Sequence, residues 1–359
     1  MTKKVLVLGG YGTCGRRIAE ILAQDPAVEC LIGGRDVRRG QAVASEVGVA
    51  FVAVEPQRVA SLNAALDGVF AVVNTCGPFH WRDYAVAERC ARRGVYYVDM
   101  ADERSYILGI RDLSQRAVEG GVALVSGGGS VLAFSSVLAE AVAPAFDTIE
   151  QIDIAVLSGN RNPQGPASIR SLLEAQGQTV RIHERGRWRD VPGFSRALAV
   201  DLPVPLGRRR LYARDAPEIE ILGARYGAAV TYRTGFELPI LNRGHAWLGS
   251  LNRWGLIRDL GRLAGVLQVV QQGLRGFGQA AFGLTVVMTG QSKGRFVART
   301  AGLVAREDGL SIRCVPAIGL VRKWMAGGAE PGAFACAGLL TLQDLTHDLK
   351  RRDVVLQLS

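Results

Sequence analysis

Gly10, Gly12 and Gly15 stand in the register G-x-G-x-x-G within Gly9-Gly10-Tyr11-Gly12-Thr13-Cys14-Gly15. Glycines so spaced do chemistry by leaving backbone bare. The first permits a tight turn, the second lets phosphates approach the chain, and the third lets a helix pack closely on a strand. The motif carries that meaning only at a strand-to-helix turn. Val5-Leu6-Val7-Leu8 ahead of it reads as a buried parallel strand, and Ile18, Ile21 and Leu22 behind it recur at helical spacing. A helix starting near Thr13 then turns its positive end toward the pyrophosphate of a dinucleotide. Tyr11 and Cys14 share that turn.

The second strand, Val28 to Ile32, ends near Gly33-Gly34-Arg35-Asp36, so Arg35 stands where a ribose contact falls. A guanidinium there suits the extra phosphate of NADP, and NAD is the lesser alternative. Asp36 reads as the cap of a helix from Val37 to Val47. A fourth strand, Val69 to Asn74, runs into Thr75-Cys76-Gly77-Pro78-Phe79, a loop delivered to the carboxyl edge of a parallel sheet. Asn74 is equally a plain turn former. After the strands Val95 to Asp99 and Val122 to Val125 comes Ser126-Gly127-Gly128-Gly129-Ser130, a third glycine-rich turn on the same rim. His80, next to the Gly-Pro-Phe turn, is the candidate general acid for a carbonyl or imine.

Together these stretches resemble the NADP-binding domain of saccharopine dehydrogenase-like oxidoreductases, over roughly the first 145 residues. The resemblance rests on Gly9 to Gly15, Gly34-Arg35, Asn74 with Gly77-Pro78-Phe79, and Gly94-Val95-Tyr96-Tyr97-Val98-Asp99. It implies NAD(P)-linked hydride transfer and places Gly10, Gly12, Gly15, Arg35, Asn74 and Gly77 at the cofactor. It extends more faintly to a bacterial subfamily with a Gly-Asn-Arg-x-Pro-x-Gly stretch, here Gly159 to Gly165. Where the family commonly has Asp-x-x-Gly-Glu, this chain has Asp99-Met100-Ala101-Asp102-Glu103, a departure at Asp102 that puts a substrate shared with the family in doubt. Asp99 is carried as a substrate candidate.

The elements that must position these residues follow from size and pattern. At 359 residues, 48% hydrophobic and 21% charged, the chain suits two domains with separate cores. Regular α/β alternation predicts an α/β protein whose N-terminal domain, residues 1–147, is a Rossmann doubly wound parallel sheet. Beyond it hairpin-spaced strands predict a second, α+β domain on a mostly antiparallel sheet, residues 148–330, for substrate and dimerisation. These include Ile152 to Leu157, a hairpin about Arg185-Gly186, another about Ser292-Lys293-Gly294, and a strand from Ser311 to Val315. A helix from Pro331 to Leu345 is expected to fold back on the first domain, with Val354 to Leu358 as a last strand.

Asn160, Arg161 and Arg170 are the substrate candidates in that half, with surface arginines as the plainer alternative. The basic amphipathic stretch 247–282, with Trp247, Trp254, Arg253 and Arg262, is compatible with a membrane surface, an apolar substrate tunnel, or helices packed in a homodimer. A net charge of +10 is spread along the chain, so an anionic small molecule suffices as partner and nucleic acid is not expected. Six scattered cysteines without a C-x-x-C pair indicate neither disulfide frame nor metal. Cys14 and Cys76, in cofactor-facing loops, read as small residues near the phosphates rather than nucleophiles. No run reaches the 18 or more apolar residues of a membrane span and Met1-Thr2-Lys3-Lys4 leads straight into a strand, so a cytoplasmic protein is expected.

The leading reading is an NADP-dependent oxidoreductase acting on an imine or carbonyl of a small amino- or keto-acid-like molecule. The alternatives are a reductase of an apolar enoyl, lipid or terpenoid substrate, and a non-catalytic NADP-binding sensor.

Overall fold

The computed structural model describes residues 2–79, 83–129, 131–176, 178–184, 186–257 and 259–359. In chain order the strands are β1 (Lys3–Leu8), β2 (Val28–Gly34), β3 (Ala50–Ala53), β4 (Ala71–Asn74), β5 (Tyr96–Asp99), β6 (Ala123–Ser126), β7 (Thr148–Ser158) and β8 (Thr179–Glu184). They continue with β9 (Arg187–Pro192), β10 (Leu198–Leu202), β11 (Gly207–Ala213), β12 (Ala229–Phe236), β13 (Phe282–Ser292), β14 (Arg295–Ala305), β15 (Gly332–Ala335) and β16 (Val354–Leu358).

The chain forms two compact units, residues 1–133 with 313–346, and residues 134–312 with 347–359. The first is built on a seven-stranded sheet in the order β15-β6-β5-β4-β1-β2-β3, every pair parallel. Parallel strands need helical crossovers that cover both faces, so the central strands are apolar throughout rather than alternating. Val5, Leu6, Val7 and Leu8 are fully buried, each worth roughly 1.5–3 kcal/mol on removal from water. Because β1 has β2 on one side and β4 on the other, the chain reverses its direction of travel across the sheet there. That reversal opens a crevice at the carboxyl ends of β1 and β4.

The second unit carries a mixed sheet, β10-β11-β12-β7-β13-β14-β16, in which only the β12–β7 pair is parallel. The two long hairpin strands β13 and β14 pair over their whole length about Lys293-Gly294, where Lys293 has φ 50 and Gly294 φ 71. Two left-handed residues in succession fit the twist of a two-residue hairpin, the turn expected at this point from the sequence.

Two expectations are corrected. Ser311 to Val315 is not a strand but the start of the helix Gly309–Met325. Ile312, Cys314, Val315, Ala317, Ile318, Leu320 and Val321 are all buried, so this helix is apolar on every side and offers no 3.6-residue period to read. Nor is Pro331 to Leu345 a continuous helix. Gly332–Ala335 joins the parallel sheet beside β6 as β15, and a helix follows only at Leu342–Lys350. A four-residue strand is too short to declare its period, and its partner lies some two hundred residues away in sequence.

Candidate functional site

The rim above the crevice is a ledge of loops whose backbones continue the sheet's ladder past the strand ends. Gly9 N–H donates to Gly33 C=O at 2.8 Å, Thr75 N–H to Leu8 C=O at 2.9 Å, Met100 N–H to Asn74 C=O at 3.1 Å, and Gly128 N–H to Asp99 C=O at 2.8 Å. Each loop is thereby fixed to its neighbour, which pre-organises whatever they present.

The three fingerprint glycines have different surroundings. A Cβ at Gly10 would stand 2.7 Å from Ile32 Cγ2, and one at Gly15 would strike the Gly9 carbonyl, Thr75 Oγ1 at 2.6 Å and Gly10 Cα at 2.8 Å. Both glycines are required by the packing of turn, helix and strand. A Cβ at Gly12 would meet one atom within 4 Å, the Gly9 carbonyl oxygen at 3.1 Å, so Gly12 is the least crowded of the three. Gly12 is also the cap residue of the helix Thr13–Leu22 and makes no side-chain cap bond. Among the described residues the N–H groups of Thr13, Cys14 and Gly15 meet no acceptor, the first helical bond being Arg16 N–H to Gly12 C=O. An uncapped helix start of this kind leaves three backbone donors available to an anion.

Tyr11 bridges this turn to the end of β2. Its ring lies where a Gly34 side chain would be, with Oη 2.7 Å from that Cβ position, and its hydroxyl accepts the Asp36 N–H at 3.3 Å. The Arg39 guanidinium sits 5.5 Å from the ring centre. Asp36 caps the helix Val37–Val47 through the Arg39 N–H, as its sequence position suggests. Arg35 and Arg38 are exposed and form no ion pair with any described residue. The β2 tip therefore presents guanidinium charge that the described side chains leave unpaired.

Behind the rim the side chains of Asn74 and Asp99 are spent on the protein itself. Asn74 is buried, accepts the Cys76 N–H through Oδ1 at 3.1 Å and donates through Nδ2 to Tyr97 Oη at 3.1 Å. Thr75 Oγ1 donates to the Leu8 carbonyl at 2.7 Å. Asp99 is fully buried. Its Oδ1 accepts from the Ala101 N–H at 3.0 Å, the Gly127 N–H at 3.0 Å and Ser126 Oγ at 2.9 Å, and its Oδ2 from Tyr97 Oη at 3.2 Å. Burial pushes its pKa up to about 6 against the pull of these four donors. The carboxylate expected at the substrate thus binds two loop backbones together instead, because no face of it is left open. No local pattern announces this role, since Ser126 and Gly127 approach Asp99 only through the β5–β6 pairing.

Cys14 is half-buried in the phosphate turn, and the Cys314 thiol donates to its carbonyl at 3.8 Å. A hydrogen bond from Cys314, with the Arg313 charge, lowers the Cys14 pKa to about 6 in spite of burial, while that of Cys314 is driven well up. Cys76 and Gly77-Pro78 continue the β4 loop, half-buried, with a cis peptide at Gly77-Pro78. The candidate acid His80 lies outside the described residues.

The remaining candidates belong to the second unit. Asn160 fastens the segment after the helix Ala264–Gly273: its Nδ2 donates to the Leu274 and Phe277 carbonyls at 2.7 and 2.9 Å, and its N–H to Glu237 Oε2 at 2.8 Å. Arg161 is exposed and reaches the Gly276 carbonyl at 3.4 Å, and Arg170 is exposed on the helix Pro166–Ala175. Asn160 therefore has a structural duty, and the two arginines lie on the surface. Among the described residues no cluster of metal-ligating side chains occurs and no helix is long and apolar enough to cross a membrane.

Fold and rim define a dinucleotide-binding protein of the Rossmann kind. Residues 5–125 match the family model described as the saccharopine dehydrogenase NADP binding domain. Among solved structures it is similar to apo saccharopine dehydrogenase (L-Glu forming) from Saccharomyces cerevisiae, with TM-score 0.72 and 13% identity over 99% of this chain and 100% of that one. GenD2 from gentamicin A biosynthesis, in complex with NAD, aligns with TM-score 0.47 and 16% identity over 99% and 96% of the two chains. No curated protein matches the sequence.

Proposed function

We propose that the protein is an NADP-dependent oxidoreductase that transfers hydride to or from an imine or carbonyl carbon of a small amino- or keto-acid-like substrate. The observation that carries this reading is the uncapped helix start at Gly12 beside a β2 tip bearing unpaired arginines. The N–H groups of Thr13, Cys14 and Gly15 would hold the pyrophosphate, Arg35 the additional phosphate, and the Thr75 to Pro78 loop the crevice wall beside them. When bound, the nicotinamide supplies the hydride; the chain's own task is to bind, orient and exclude water. Asp99 and Asn74 serve that task by holding three loops in one fixed arrangement.

The test is a calorimetric titration with NADPH and NADH of the wild type and of Arg35→Ala. A charge-assisted hydrogen bond to phosphate is worth about 1.5–3 kcal/mol, so the variant loses roughly 10- to 100-fold in NADPH affinity with NADH unchanged. Equal losses for both nucleotides would remove the assignment of Arg35. Turnover with a panel of imines, keto acids and activated alkenes then separates enzyme from sensor: saturable NADPH binding with no turnover on any of them favours the sensor.

A second reading rests on Trp247, Trp254, Leu256 and Phe277, which are all more than three-fifths exposed. Four large apolar side chains exposed within one stretch of about thirty residues favour an apolar substrate, a lipid surface or a second copy of the chain. Flotation with anionic vesicles and light scattering distinguish these.

A further inference from the structure

The second unit contains a cavity of about 560 Å³ lined by Arg208, Arg209, Arg210, Arg243, Tyr212 and Glu237, with Phe236, Pro239 and Asn242 completing its wall. Arg208, Arg210 and Arg243 thus share this lining with one carboxylate, and that carboxylate is already committed. Glu237 is buried, and its Oε2 accepts the N–H groups of Asn160 at 2.8 Å and Gln279 at 2.9 Å.

The placement of the arginines follows from the fold. Along β11, Arg208, Arg210 and Tyr212 occupy alternate positions and so share a face of the sheet, while Leu211 and Ala213 are fully buried on the other. Arg243 comes from the start of the helix Pro239–Arg253, whose cap residue Leu238 makes no side-chain bond and whose first turn holds no acid. Asp201, the register partner of Arg208 on β10, forms no ion pair with it. Arg208, Arg210 and Arg243 make no ion pair with any described residue. Arg209 donates through Nη1 to the Arg208 carbonyl and keeps a buried Nε with no partner.

Arg208, Arg210 and Arg243 are exposed, so solvent screens their mutual repulsion, yet like charges gathered at one cavity near the positive end of a helix still favour an anion that shares the space. The described residues do not supply that partner. Guanidinium forks bind oxyanions bidentately, and several converging on one volume select ligands with more than one negative oxygen cluster. The volume is in the range of cavities that enclose small organic ligands rather than a lone ion.

We propose that this cavity is a binding site for a small organic polyanion, bearing a phosphoryl group or paired carboxylates, held by Arg208, Arg210 and Arg243. The Tyr212 ring, stacked on Phe194 at 4.5 Å between centres, forms the apolar part of the wall. The site lies within the second unit and stands independently of the oxidoreductase reading.

The experiment uses the full-length protein, with inorganic pyrophosphate and citrate as separate calorimetric probes at 150 mM salt. The variants are R208S/R210S, R243Q, and R295S/R299S as a control on exposed arginines of β14. The expected result is saturable binding of at least one probe, weakened at least tenfold in R208S/R210S and at least threefold in R243Q, with the control unchanged. Whichever probe binds more tightly tells phosphoryl from carboxylate recognition. NADPH titration of the same proteins stays at the wild-type affinity, which separates this site from the nucleotide rim. The proposal is overturned by absence of saturable binding of both probes, by unchanged affinity in R208S/R210S, or by an equal loss in the control pair. A wild type that binds citrate or pyrophosphate here but not NADPH would sink the functional reading and leave this site standing.

Discussion

Replacing Asp99 with Asn removes a charge from the interior while keeping the shape of the side chain. The native pKa of about 6, against an ordinary 3.8, means that the folded protein holds the Asp99 proton more tightly than the unfolded chain. Below about pH 3 both states are protonated and the group is neutral in the balance. As pH rises from about 4 to about 6 the unfolded chain releases its proton first, so stability falls across that window and levels off above it. The rise from 3.8 to about 6 corresponds to roughly 3 kcal/mol lost by pH 7. The Asp99→Asn side chain would retain one carbonyl for the Ala101, Ser126 and Gly127 donors and present an amide to Tyr97 Oη, and it does not titrate. Urea denaturation of wild type and Asp99→Asn at pH 4, 5, 6 and 7 should therefore show a stability difference that moves in favour of the variant by about 2.4 kcal/mol over this range. A difference that stays flat with pH would refute the assignment of the charge to a buried, desolvated carboxylate. Asp99→Ala is the companion: it strands three donors on Oδ1, each costing about 1–3 kcal/mol, and should destabilise at every pH.

Two further outcomes follow from the phosphate turn. Gly12→Ala should lower the melting temperature less than Gly15→Ala, since its backbone is extended and its Cβ would meet only the Gly9 carbonyl oxygen, at 3.1 Å, yet weaken NADPH binding by at least about tenfold. Gly15→Ala, which pushes into backbone, should lower stability by about 1–3 kcal/mol as well as affinity; identical behaviour of the two variants would contradict the separate roles. Cys14 should alkylate with a pH midpoint near 6, and Cys314→Ala should move that midpoint upward, because Cys314 is the hydrogen-bond donor that stabilises its thiolate. Cys30 and Cys336, pushed up to about 12 by burial, should stay unreactive in the folded protein. A Cys14 midpoint at the ordinary thiol value would disprove the pairing.

Much of the fold was legible where its determinants are local. The apolar run at Val5 to Leu8, the fingerprint glycines, Asp36 as a cap and the hairpin at Lys293-Gly294 each depend on a few consecutive residues, and each stands where the sequence placed it. The uniformly buried helix Gly309–Met325 and the short β15 were misread because their surroundings, not their periodicity, decide their form. The same division runs through the site. Which turn leaves its backbone bare follows from residue order alone, since φ, ψ and helix starts are set within a turn's reach. Tertiary structure decided that Asp99 faces Ser126 and Gly127, that Cys314 meets Cys14, and that Arg243 joins Arg208 and Arg210 at one cavity. Those neighbours are brought together by sheet order and helix packing across tens to hundreds of residues, and a linear pattern holds no record of such meetings.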